Sequence, residues 1–105
     1  MVIIWRPEAS KALWEIYDFY ADKEEKAARK ILTTIVNAID KLSAFPEMAA
    51  VEQELANEPE VYRSLVAHKF FKVVYVVDRE RGEVVIVGIW DCRQNPDTLK
   101  RRTIG

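Results

Sequence analysis

Phe70-Phe71-Lys72-Val73-Val74-Tyr75-Val76-Val77 is β-branched or aromatic at every position but Lys72 and contains neither glycine nor proline. That composition predicts a strand. Alternation sorts its side chains into two sets: Phe71, Val73, Tyr75 and Val77 on one face, Phe70, Lys72, Val74 and Val76 on the other. Lys72 is thus the sole charge in an otherwise apolar row, and its position asks for an explanation. Residues 62–67 and 83–90 share the same Val, Ile, Phe and Tyr bias. They are separated from the central run by His68-Lys69 and by Asp78-Arg79-Glu80-Arg81-Gly82, so the last third predicts a three-stranded meander.

Upstream the period changes. Val2 to Trp5 forms a short β-branched and aromatic run, and Arg6-Pro7-Glu8 then supplies a proline and an acid suited to a first helical turn. Ala9, Leu13, Ile16, Tyr17 and Tyr20 recur at spacings of three and four, which predicts an amphipathic helix with Trp14 standing off its apolar stripe. Asp22-Lys23-Glu24-Glu25 breaks the pattern and offers Asp22 as a capping carboxylate. Ala28, Ile31, Leu32, Ile35, Ala38, Ile39, Leu42 and Phe45 restore the helical spacing until Pro46 disfavours helical geometry at Phe45. The short link between the two periodic stretches predicts an antiparallel helical hairpin. Residues 47–60, acidic and weakly patterned, read as a loop with one helical turn. Beyond Trp90 the polar segment Asp91-Cys92-Arg93-Gln94-Asn95-Pro96 and the ending Leu99-Lys100-Arg101-Arg102 read as a tail too short to fold alone.

The order strand, helix, helix, strand, strand, strand predicts an α+β fold. An N-terminal strand and a two-helix antiparallel hairpin pack on one face of a mainly antiparallel four-stranded sheet, leaving the other face partly open. A chain of 105 residues is expected to form one domain, 1–105. Half of the residues are hydrophobic and 31% are charged, a globular rather than disordered composition. Cys92 is the single cysteine, so neither an internal disulfide nor a multi-cysteine zinc site can form. With an N-terminal apolar run too short for a signal sequence and no stretch near the length of a membrane span, a cytoplasmic location is expected. The net charge of −1 conceals a division. Residues 1–60 carry 7 Lys/Arg against 12 Asp/Glu, while residues 61–105 carry 9 against 5. The basic half is the candidate binding half.

Arg63-Ser64-Leu65-Val66, followed by Phe71-Lys72-Val73-Val74-Tyr75-Val76-Val77 and by Val84-Val85-Ile86-Val87-Gly88-Ile89-Trp90 running into Asp91-Cys92-Arg93, resembles the toxins of the RelE/ParE superfamily. The likeness extends to the opening strand, the helical hairpin and the Phe45-Pro46 stop. It implies a small cytoplasmic bacterial toxin of a type II toxin–antitoxin module for plasmid stabilisation. Such a protein is neutralised by a cognate antitoxin and is found as a homodimer or as a heterotetramer with the antitoxin. Two mechanisms are implied. ParE-like members bind and poison DNA gyrase without known catalysis, whereas RelE-like members are endoribonucleases that cut messenger RNA on the ribosome. A degenerate member would retain antitoxin binding alone.

Cleavage by a 2′-hydroxyl needs a proton acceptor, a donor to the leaving oxygen and cations around the phosphorane. Lys72 aligns with a basic position of the family's middle strand, and with Arg63 and Arg93 it forms the candidate charged set for phosphate or target contacts, provided that the three converge. His68, the one histidine, rules out a two-histidine acid–base pair and reads as a polar turn residue. RelE-like nucleases often keep a catalytic Tyr or His near the C-terminus, where this chain has Asp91-Cys92-Arg93-Gln94-Asn95-Pro96. Cys92 reads as inert packing at a strand end. Asp91 and Arg93 point the same way, as an ion pair orienting the guanidinium would. Tyr17 and Tyr20 read as core, and Trp14 as a partner anchor. No phosphate loop or zinc spacing is present, so no cofactor or metal is expected. A sequence pI near 5.9 argues against a ribosomal target, and the ParE-like branch is favoured.

Overall fold

In the computed structural model, which describes residues 1–104, β1 (Val2–Trp5) leads into α1 (Pro7–Ala21) and α2 (Glu25–Ala44). There follow β2 (Ala50–Val51), a 3-10 turn (Gln53–Leu55), β3 (Tyr62–Val66), β4 (Phe71–Asp78), β5 (Glu83–Asp91) and α3 (Pro96–Ile104). The five strands form one sheet in the order β1-β5-β4-β3-β2, antiparallel except for the parallel pairing of β1 with β5. The α+β class is as expected. Two elements go beyond it: the fifth strand, only two residues long, and a terminal helix where a tail was predicted.

Proline occupies the first turn of α1, and the acid Glu8 beside it faces the positive helix end. Asp22 does not cap α2. Its N–H bonds the Asp18 carbonyl and closes α1, while α2 begins after Glu24 with no side-chain cap. The second helix therefore depends on its buried face rather than on its terminus. Ala28, Ile35, Ile39 and Leu42 are all buried. Ile35, Ile39 and Leu42 join Ala9 and Leu13 of α1 against Phe71, Val73 and Tyr75 of β4 and Val84, Ile86 and Ile89 of β5. At the far end of α2 the chain's N-terminal ammonium donates to the Ser43 carbonyl at 2.7 Å, and Ser43 Oγ donates to the Met1 carbonyl at 2.5 Å, which fastens β1 beneath the helix.

Ile86 and Ile89 are three apart yet reach the same core, because Val74 pairs with Gly88 and Tyr75 with Ile86, leaving Val87 as a β-bulge. Val87 and Gly88 are thereby turned toward the opposite face. That face is not left open. Tyr62, Val74, Val87 and Trp90 meet Leu55 of the 3-10 turn and Leu99 of α3 in a second, smaller core. Trp90 Nε1 donates to Thr103 Oγ1 at 3.0 Å, and this hydroxyl donates to the Leu99 carbonyl at 2.9 Å. A Cβ on Gly88 would lie 3.4 Å from Trp90 Nε1 and 3.5 Å from Thr103 Oγ1, ordinary contact distances that place α3 directly over this position of β5. No helix among the described residues is long and apolar enough to cross a membrane.

Because Ile39 is 1% exposed in the larger core, Ile39→Ala should lower the unfolding free energy by about 2–5 kcal/mol. In urea titrations this appears as a lower midpoint at unchanged slope. A midpoint equal to that of the parent would contradict the packing described.

Candidate functional site

The three cations proposed from sequence do not converge. Lys72 sits on the α3 side of β4 and Arg63 on the helical-hairpin side of β3, since its neighbour Tyr62 belongs to the smaller core and Leu65 packs on the larger one. Strand alternation alone separates them: Lys72 pairs with Val66, an odd number of residues from Arg63. Arg93 lies beyond the end of β5. The expected phosphate clamp is absent, and each cation has its own local partner.

Lys72 forms an ion pair with Glu52 and places its ammonium 5.1 Å from the centre of the Trp90 ring. Glu52 is 3% exposed. Its second oxygen accepts from the Glu54 N–H at 2.8 Å. Burial pushes this carboxyl upward, but Lys72 and the Glu54 N–H outweigh it, and the net displacement is below the usual glutamate range. Sequence reading missed Glu52 because it lies in the weakly patterned stretch. A signal was nonetheless present, in that an unexplained charge in an apolar strand row calls for a carboxylate opposite it.

Arg63 Nη1 donates to the Ala49 carbonyl at 2.8 Å, pinning the chain that enters β2. Arg93 meets Asp91 in the bidentate arrangement expected from their common direction, with Nε to Oδ1 and Nη2 to Oδ2 both at 2.9 Å. The Arg93 guanidinium holds Asp91 below its ordinary range, and Asp91 in turn raises Arg93. Stacking 4.2 Å from the Phe70 ring centre fixes the guanidinium plane further. Cys92 is exposed rather than packed, because the strand has already ended there. His68 caps its own turn, its Nδ1 accepting from the Phe70 N–H at 3.3 Å. Tyr17 and Tyr20 are half-buried and Trp14 is 54% exposed on α1.

Two adjoining cavities of about 280 and 370 Å³ lie between α1 and α3, over the end of β5. They share Ala12, Glu15, Ile89, Leu99 and Arg102 and so form one trough, with Arg93 at one end and Glu8 and Lys11 at the other. Among the described residues no cluster of His, Cys, Asp or Glu is suited to hold a metal ion.

The family model described as "ParE toxin of type II toxin-antitoxin system, parDE" matches residues 3–96, from β1 to the first residue of α3. Among solved structures, a chain of the "Chromosomal ParDE TA system from P. aeruginosa" has the same fold. The TM-score is 0.71 at 24% sequence identity, over 87% of this chain and 95% of that one. No curated protein matches the sequence.

Lys72→Met strands a buried carboxylate and should cost about 3–5 kcal/mol, whereas the Glu52→Gln/Lys72→Met pair should cost far less. Glu52 has a folded pKa below its unfolded one. Its contribution is therefore intact above the ordinary glutamate pKa of about 4.3 and is lost as pH falls through the lower folded value. Urea titrations from pH 7 down to pH 3 should show a smaller acid-range decline in Glu52→Gln than in the parent. Parallel declines would remove Glu52 from the account.

Proposed function

The chain belongs to the ParE toxin family of type II toxin–antitoxin systems, and from that premise we propose that it arrests growth by binding a cellular target, DNA gyrase, and is neutralised by a cognate antitoxin. The observation that carries this reading is the dispersal of the cations. Lys72 is neutralised by buried Glu52, Arg63 is turned to the other face of the sheet, and Arg93 is paired bidentately with Asp91. Phosphoryl-transfer catalysis works by preorganised charge aimed at one reacting centre. Three cations held apart, each by its own partner, supply no such centre, and a binding mechanism asks for none. The lone histidine is engaged in its own turn, which supports the same conclusion.

Binding has surface available to it. Trp14 and Phe19 are both more than half exposed on α1. Large aromatics of this kind are the usual anchors of protein interfaces. The basic side chains of α3, Lys100, Arg101 and Arg102, continue the positive half of the chain beside the trough. An antitoxin that covers these elements would occlude the target-binding surface, so neutralisation follows by competition and needs no chemical inactivation.

Induced without its antitoxin, the chain should stop growth, and plasmids from arrested cells should show lost negative supercoiling. Primer extension on messenger RNA from the same cells should show no new cleavage at codon positions. Codon-position cuts with unaltered supercoiling would favour the ribosomal mechanism, and full growth at high soluble expression would overturn the toxin reading.

A further inference from the structure

β1 is the outermost strand of the sheet, at the edge opposite β2. Its inner side is bonded to β5: the Val2 N–H donates to the Gly82 carbonyl at 2.9 Å and the Arg6 N–H to the Ile86 carbonyl at 3.0 Å, with Ile4 paired to Val85 between them. In such a ladder alternate residues turn their backbone groups to the neighbouring strand, so the N–H and carbonyl groups of Ile3 and Trp5 point away from the sheet. None of these groups has a hydrogen-bond partner among the described residues. Sheet edges are ordinarily protected by shortness, charge, proline or a bulge. The opposite edge, β2, is only two residues long. Val2-Ile3-Ile4-Trp5 has no charge and no proline, pairs with β5 without a register shift, and leaves Val2 62% and Ile4 37% exposed.

We propose that two copies of the chain join through β1, antiparallel about a two-fold axis at Ile4, so that their five-stranded sheets become one continuous sheet. The register is dictated from both ends of the strand. With the axis at Ile4, Ile3 of one copy lies opposite the partner's Trp5, and Trp5 opposite the partner's Ile3, so every free group finds a partner. An axis at Ile3 would set Trp5 against the partner's Met1, whose ammonium and carbonyl are already held by Ser43. An axis at Trp5 would set Ile3 against the partner's Pro7, which has no N–H. Only the middle register uses both outward residues, and a surface that meets itself in this way is the isologous contact of a two-fold dimer. Ile4 then faces its own copy as a close, non-bonded pair. Val2 and Ile4 share a sheet face with half-buried Val85, so the two copies form one apolar stripe across the seam. The charges agree with this register. Arg6 falls opposite the partner's Val2, and beside Val2 on β5 stands Glu83. Neither Arg6 nor Glu83 takes part in an ion pair among the described residues. The axis therefore brings each arginine across the seam to a carboxylate of the other copy.

A seam of one short strand belongs to the small, weak class of interfaces. Sedimentation velocity of the purified chain should give the monomer mass of 12.2 kDa at low concentration. The mass should rise toward twice that value between about 1 and about 300 µM, as a dissociation constant of about 30 µM requires. Ile4→Lys sets two ammonium groups against each other at the axis and should remain monomeric throughout. Val66→Lys, at the 73% exposed apolar position of β3, should associate as the parent does. In the parent, amide exchange of Ile3 and Trp5 should slow about fivefold between the two concentrations. Exchange of the Val51 amide, which faces outward on the opposite edge, should stay constant. The exchange measurement decides the matter if Ile4→Lys fails to fold. A monomer mass at every concentration, an association that folded Ile4→Lys leaves intact, or exchange at Ile3 and Trp5 that does not respond to concentration overturns the proposal.

Discussion

A middle pair of strands with apolar residues on both faces cannot be covered by one layer, and every other feature of this chain answers to that constraint. Phe71, Val73 and Tyr75 turn one way and Val74 the other, all of them buried, so β4 requires material above and below it. The helical hairpin covers one side in the manner its periodicity dictates. On the other side the cover is assembled from small pieces, Leu55 of a 3-10 turn and Leu99 of a nine-residue helix, which meet Val87 where the bulge turns it to that face. Lys72 lies at the margin of this second cover. In an apolar layer its charge needs a partner, and Glu52 is carried there on the same segment that delivers Leu55.

The sequence made the first layer legible because period is a robust signal over many residues. The twenty residues of α2 and the eight of β4 are long enough for the three-and-four and two-residue patterns to stand out. The second layer gave no such signal. A two-residue strand has no period, and Ala50-Val51 is defined by its pairing with Arg63 and Ser64 rather than by its own composition. Similarly, α3 buries Leu99 alone and leaves its other large hydrophobic, Ile104, exposed, and Thr103 meets Trp90 in a contact between residues whose spacing carries no pattern. Expecting an open sheet face was the direct result of not seeing these pieces.

The site reading shows the same division. Alternation correctly set Lys72 apart from the other residues of its row, but the partner that explains it came from the stretch without pattern. Asp91 and Arg93 were readable as a pair because they are neighbours in sequence, and their bidentate geometry follows from that proximity. Convergence of Lys72, Arg63 and Arg93 was a statement about tertiary position. The two-residue repeat of the strands contradicts it for Lys72 and Arg63, which lie on pairing positions of opposite parity. Here Lys72 and Arg63 are drawn into holding the fold, one by the Glu52 carboxylate and the other by the Ala49 carbonyl.

The central claim is that Lys72 acts in packing and not in chemistry. It is tested most directly by inducing the Glu52→Gln/Lys72→Met double variant in cells that lack the antitoxin and following growth, with circular dichroism of the purified protein as the check on folding. Growth arrest as deep as that caused by the parent chain is the result this account requires. A variant that is fully folded and yet harmless would contradict it, since Lys72 would then be contributing something that the fold alone does not need.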